Sequence, residues 1–582
     1  MDSGRLRGRP ASAGARRHRE RSTAVNGDLV RDGWLPAIGV DGGRSAEGIL
    51  SVLTRAHLIR RLELPDPMML PAVLRQVLLP VVLDALGAPR TPGQWAERFE
   101  RGGFTPEETG RLEDYLGPRF GDRFRLFDEA RPFAQVAGLE AVSGETKSSV
   151  VLVPSIASGN NVPLFSSFSE ADELDLTPAQ AMLWLLHVQC WDTAAIKTGA
   201  AGDPAVVKGK TTGNPTGPLG QLGVIVPAGR TLYETLLLNL PIMPDGLGPG
   251  DRPQWAWDER RAPAAGEDPS TARWSSRPVS GLLDLMTFQS RRVRLIPEET
   301  GDGPRVRRVV LCAGDRLEST PQEEVHTAWN HAAKPKAGQP AQRPRRHVSG
   351  KAAWQGLAAL LALDLPADGN GPTTSALLRQ AGDLSAEDYL AADYPLGVEI
   401  CALEYGNQSA VVENAIADSL PLPVTALVAG NPDVREAVLG CAAQADQAGR
   451  ALDRFHADLR RAAGGDPLPR DKGERPSLRF LHAVDGRMRR LLAGLRTVGE
   501  DWDLLERGRE AWELTLWQEA GRETGQLLAA VPPRAVVGRV TRENNKETVH
   551  RSGRAEMWLW KTLREALPRA ADAHGDGRGE AA

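Results

Sequence analysis

The chain has 582 residues, 41% of them apolar and 25% charged, with a formal net charge of −4. Such a length exceeds one ordinary hydrophobic core, and such a balance excludes a disordered chain or a membrane-spanning one. The near-neutral charge also excludes a globally basic nucleic-acid binder, so any contact with DNA has to be local.

Residues 1–24 carry Arg5, Arg7, Arg9, Arg16, Arg17, Arg19 and Arg21 with little apolar material. This is expected to be a disordered tail without the apolar core of a secretory signal, which places the protein in the cytoplasm. Residues 25–425 are expected to form a large mixed α+β domain of helices and small antiparallel sheets. It opens with Trp34, Leu35 and Pro36 followed by Asp41-Gly42-Gly43, a hairpin signal. Leu70, Leu74, Val77 and Leu78 then fall on one face of a helix. The longest apolar run, 77–86, is broken by Pro80 and Asp84 and is shorter than the roughly 20 residues a bilayer requires, so no membrane partner is expected.

The aromatic segment 120–136, with Phe124, Leu126, Phe127 and Phe133, is expected to pack on that helical layer. Thr177-Pro178 supplies an N-cap and a first-turn proline for a helix through Trp184, Leu185 and Val188. Residues 198–223 make a long loop with seven glycines, flanked or joined by Lys197, Lys208 and Lys210. Runs 293–296, 306–311 and 398–403 look like strands, and 244–270 and 332–348 look like linkers. From 426 to 568 the pattern turns to amphipathic helices, at about 431–464, 476–497, 501–531 and 535–567, which predicts a four-helix bundle ahead of a frayed tail at 569–582.

No nucleophile elbow, HExxH, P-loop or helix-opening GxGxxG is present, so no catalytic residue is assigned and the protein is not expected to be an enzyme. His57, His187 and His326 have no carboxylate or cysteine at ligand spacing and read as satisfied structural histidines. The acidic pairs Asp172-Glu173 and Glu323-Glu324 read as solvated. Cys190, Cys312, Cys401 and Cys441 form no CxxC pair, so they read as reduced packing thiols and neither a metal nor another cofactor is expected.

Three stretches remain. The turn from Lys197 to Gly202 reads either as a backbone that approaches a phosphate or groove, or as a structural loop. Glu404-Tyr405-Gly406-Asn407-Gln408-Ser409 has the chemistry of a hairpin tip, whose amides can touch base edges or stay inert. Arg292 and Arg294 share one strand face, equally an RNA or phosphate ladder or a solvated sheet face paired with acids.

Taken in order, these segments resemble the CasA family, the large subunit of the type I-E CRISPR Cascade complex. The resemblance is carried by Trp34-Leu35-Pro36-Ala37, Phe124-Arg125-Leu126-Phe127, Arg131-Pro132-Phe133-Ala134-Gln135-Val136 and Ile196-Lys197-Thr198-Gly199-Ala200. It continues through 232–240 (LYETLLLNL), 287–295 (TFQSRRVRL) and 403–423 (LEYGNQSAVVENAIADSLPLP). The family is similar to other RNA-guided effectors in leaving sequence reading to a guide RNA while a protein subunit inspects a short adjacent duplex motif.

The resemblance implies a subunit that reads this motif from the minor groove, helps open the strands and recruits a helicase-nuclease. Its partners would be double-stranded DNA, the guide RNA and the other Cascade subunits. Carried over by position, the motif-binding residues are Lys197, Thr198, Gly199 and Ala200, with Arg316 near the place of a groove-contacting lysine. Asn407 and Gln408 become the strand wedge, and Asn161, Phe165 and Phe168 the contact to the guide-RNA handle or a neighbouring subunit. The alternative is a non-catalytic structural scaffold that does not read DNA. The bundle arginines Arg460, Arg461, Arg487, Arg489 and Arg490 are candidates for a displaced-strand path by charge alone.

Overall fold

The computed structural model describes residues 27–156, 174–256, 274–317, 319–469, 473–499, 501–543 and 546–576. The fold is α+β, with helices and small, mostly antiparallel sheets. The Arg-rich tail and the residues Asn161, Phe165 and Phe168 lie outside the described residues.

The apolar segment from Met69 is helical through Leu86, passing from α (Met69–Val73) through a π turn (Leu74–Leu78) and back to α (Leu79–Leu86). By length and composition it meets the requirement for a membrane span, yet 89% of it is covered by the rest of the chain, which makes it a core helix. One apolar face was too narrow an expectation, because Arg75 and Gln76 are buried as well. Burying a lone charge is costly. Arg75 therefore meets Glu324 at 2.5 Å and the His326 Nδ1 at 3.1 Å. Glu324 is consequently not solvated: burial raises its pKa, but Arg75 and His326 more than offset this and hold the carboxyl near 2.

The N-terminal hairpin forms as its turn chemistry predicts. Leu35–Gly39 pairs antiparallel with both Arg44–Glu47 and Ile59–Leu62, and Gly42 takes the left-handed φ of 84°. The aromatic segment is buried, with Phe124 stacked on Phe133 at 5.1 Å and both rings against Trp255. Thr177 caps helix Pro178–Trp191 as expected, and Gln180 completes a capping box. One sheet packs on this helix and a second meets its C-terminal end. In one, the hairpin Arg291–Thr300/Gly303–Ala313 carries Lys147–Ser148 antiparallel and Lys197–Thr198 parallel, with Lys210–Thr211 beyond. In the other, Val224–Ala228, Gly397–Gly406 and Val411–Pro421 are antiparallel.

The segment 332–348 is more than a linker, since Gln342–Pro344 pairs with Trp329–His331 in a three-stranded sheet. Of 244–270, the described part packs Trp255 inward, its indole N–H donating to the Tyr115 hydroxyl at 2.7 Å.

Three C-terminal helices lie where periodicity put them: Pro432–Ala462, Pro476–Leu495 and Trp502–Ala529. The fourth differs. A short helix, Arg534–Val537, gives way to the hairpin Arg539–Glu543/Lys546–His550 before helix Ser552–Ala566. Gly538, at φ 78°, stops the first helix. The expected frayed tail is also corrected over its first part, because Pro568–Asp576 is helical, Ala570 is fully buried and Arg569 binds Glu513 at 2.8 Å. One apolar cluster runs from Trp95 through Val398 and Leu420 into these helices, so packing is continuous across residue 425.

Candidate nucleic-acid interface

Helix Pro178–Trp191 ends on Asp192, and the chain then returns as strand Lys197–Thr198. Lys197 was expected to reach a groove. Instead its ammonium lies 2.6 Å from the Asp192 carboxylate with a side chain only 9% exposed. Arg291 Nε donates to the same carboxylate oxygen. Its NH2 donates to the carbonyls of Thr193 at 2.8 Å and Pro215 at 2.9 Å.

Two cations share one anion here. Burial raises the Asp192 pKa, but Lys197 and Arg291 more than offset that and hold it at about 2. Lys197, buried beside a second cation, is pushed down to about 8 despite its pairing with Asp192. The physical reason for the correction is desolvation: an ammonium at this depth is stable only with the carboxylate, and that engagement turns it away from solvent.

The two ends of the glycine-rich loop are packed just as firmly, whereas much of 202–213 is exposed. Gly199 and Ala200 are buried and Thr198 is half-buried. A Cβ on Gly199 would come within 2.5 Å of Val206, and one on Gly217 within 2.4 Å of the Cys190 carbonyl. These glycines serve close approach of one part of the chain to another. Solvent instead meets the turn ahead of strand Lys210–Thr211, where Lys208 and Lys210 are exposed and Lys208 has a left-handed φ of 51°.

Arg316 likewise points at this loop. Its NH2 donates to the Thr212 carbonyl at 2.6 Å and to Asn214 at 3.1 Å, and the guanidinium lies 3.9 Å over the Trp274 ring. The arginine strand face matches the acid-paired reading only in part: Arg292 pairs with Asp203 at 2.6 Å but is buried rather than solvated, and Arg294 donates to the Leu139 carbonyl. His187 is buried but not satisfied as expected, because its Nε2 has no hydrogen-bond partner; burial lowers its pKa to about 4. Of the bundle arginines, Arg461 binds Asp458, Arg487 binds Glu519, Arg489 binds Asp418 and Asp485, and Arg460 donates to the Asp466 carbonyl, while Arg490 is exposed.

The hairpin Gly397–Gly406/Val411–Pro421 ends in a tip of a different kind. Asn407 and Gln408 are exposed, and Asn407, Gln408 and Ser409 all take positive φ, at 42°, 59° and 61°. Each such residue costs roughly 1 kcal/mol, so the surroundings must hold the tip. They do: the Tyr405 hydroxyl donates to the Trp191 carbonyl at 2.5 Å, and the Ala194 N–H donates to the Ser409 carbonyl at 2.8 Å.

The two sequence-distant candidates are therefore neighbours. A cavity of about 490 Å³ opens between them, lined among others by Lys147, Asp192, Lys197, Lys210, Ala410 and Val412. Asp192 is not singled out by the sequence, and Arg291 and Tyr405 stand in its motifs without a role of their own, since no spacing rule links a helix end to partners so far along the chain. The arrangement offers exposed amides and nearby lysines, the equipment for hydrogen-bonding base edges and phosphates.

The sequence model of the family described as CRISPR-associated protein Cse1 matches residues 28–522. The chain is 35% identical over 284 residues to the CRISPR-associated protein CasA/Cse1 of Thermus thermophilus; that match spans 48% of this chain and half the length of the relative. The crystal structure of Thermobifida fusca Cse1 is similar with a TM-score of 0.75 at 30% identity, covering 93% of this chain and 98% of that one. The crystal structure of Cse1 from Acidimicrobium ferrooxidans gives a TM-score of 0.74 at 26% identity, covering 94% and 98%.

Proposed function

The chain belongs to the CRISPR-associated protein Cse1 family, and from that premise we propose that it is the non-catalytic subunit of a Cascade surveillance complex that inspects the motif flanking a DNA target. In this reading it works in the cytoplasm beside the other Cascade subunits and the guide RNA. It captures the duplex from the minor groove, starts strand separation and recruits the helicase-nuclease that destroys the target. Minor-groove patterns are degenerate, so several motif sequences are accepted.

The observation that carries the reading is the hairpin tip. Two exposed amides, Asn407 and Gln408, are held in a strained backbone beside the glycine-rich strand. Strain of this kind persists where a site is built around it. Within the motif-binding set, Thr198 is the half-exposed member and Lys208 and Lys210 are the exposed cations. Lys197, Gly199, Ala200 and Arg316 support the loop from within.

The inward engagement of Lys197 and Arg316 is what favours the second reading, a scaffold that reads no DNA. Duplex capture by the assembled, guide-loaded complex separates the two. The motif reader loses about tenfold in capture with Asn407→Ala/Gln408→Ala, the worth of about one good base-edge contact. A scaffold captures DNA as before, and unchanged capture would sink the proposal.

A further inference from the structure

We propose that Asp192 and Tyr405 are positioning residues that join the glycine-rich strand to the hairpin tip, so that motif capture and strand opening are performed by one rigid body. This rests on the motif-reading function above and deepens it.

Four short connections converge on residues 191–194. Asp192 grips Lys197 at 2.6 Å, which sets strand Lys197–Thr198. The same carboxylate takes Arg291, whose guanidinium also holds the carbonyls of Thr193 and Pro215. Trp191 accepts the Tyr405 hydroxyl through its carbonyl, and Ala194 donates to Ser409. The strand is thus held by Asp192 itself, and the tip by residues one and two positions from it.

The glycine-rich loop runs between the partners. A Cβ on Gly217 would strike the Cys190 and Trp191 backbone, and a Cβ on Gly220 would sit 2.5 Å from the Tyr405 hydroxyl. This end of the loop, around Gly217 and Gly220, is sandwiched between helix end and hairpin without slack. A displacement of the tip is therefore passed to the strand through direct contacts, and the left-handed run at Asn407 to Ser409 keeps its shape only while those contacts hold. Asp192 and Tyr405 act through other residues and are not expected to touch DNA.

The test uses the guide-loaded complex and two duplex targets, one fully paired and one already mismatched over the pairs next to the motif. Strand opening is followed by the fluorescence of a base analogue there. Asp192→Asn and Tyr405→Phe are each expected to slow opening of the paired target about tenfold and to be rescued on the mismatched one. Their effects should be less than additive with Gln408→Ala, because tip and joint act as a unit. Tyr405→Phe removes a single hydroxyl and decides the question if Asp192→Asn fails to fold. Wild-type opening in the positioning variants, or an equal defect on both targets, overturns the inference. Normal opening by Gln408→Ala would instead overturn the motif-reading function itself, so the two failures are told apart.

Discussion

The glycine-rich loop 198–223 and the hairpin tip 407–409 both read as polar, turn-forming stretches, yet they solve opposite problems. At the packed ends of the loop, Gly199 and Gly217 remove side chains so that the chain can lie close on itself, and Lys197, Arg292 and Arg316 are spent on internal partners, while Lys208 and Lys210 in its middle stay exposed. In the tip no glycine occupies the three left-handed positions, and the amides face solvent. A stretch that tolerates glycine where packing demands it, and keeps Asn and Gln where glycine would relax the backbone, divides support from contact.

The largest expected effect that sharpens this contrast is at Gly217. Gly217→Ala puts a methyl 2.4 Å from the Cys190 carbonyl, main chain that cannot step aside, and is expected to cost about 3 kcal/mol in urea unfolding. A loss below roughly 0.5 kcal/mol would mean that the loop is not tightly packed.

Next comes the ion triad. The Asp192 pKa in the folded chain, about 2, lies below its ordinary 3.8. A depressed carboxyl contributes stability that is complete above the unfolded value and is lost as pH falls through the folded one. The stability advantage of the wild type over Asp192→Asn should therefore shrink by about 2 kcal/mol between pH 4 and pH 2. A gap independent of pH would break the assignment of Asp192 as an ionised anchor.

Smaller again is Arg316→Ala, which removes the hydrogen bonds to Thr212 and Asn214 and the contact with Trp274. It should cost about 1 kcal/mol and raise amide hydrogen exchange around residue 212 without unfolding the sheet. The smallest effect has the opposite sign. Gln408→Gly relieves a φ of 59° and should raise the melting point slightly, by an amount equivalent to about 0.5 kcal/mol. The same variant should weaken strand opening, so that stability and function part company at the tip alone.

Much of the fold was legible in the sequence. The Thr177 N-cap, the Gly42 turn, the strands around 293–296, 306–311 and 398–403 and three of the C-terminal helices rest on neighbours a few residues apart. The fourth helix was misjudged because Val536, Val537 and Val540 continue an apolar pattern although they are exposed, and the stop rests on Gly538 alone. At the candidate site the tip could be recognised from its turn residues. The orientation of Lys197 could not, since a lysine in a glycine-rich stretch looks the same whether it faces water or a carboxylate.

By itself the sequence determined the local pieces and the family pattern, because caps, turns and hydrophobic periods act over a single turn of chain. Only the tertiary structure decided which cations face solvent and that loop and tip are neighbours. Arg291 lies 99 residues from the carboxylate it shares with Lys197, and Tyr405 lies 214 residues from the carbonyl that anchors it. Pairings of that range are selected by burial, which makes each buried charge and strained turn depend on partners that no nearby residue announces.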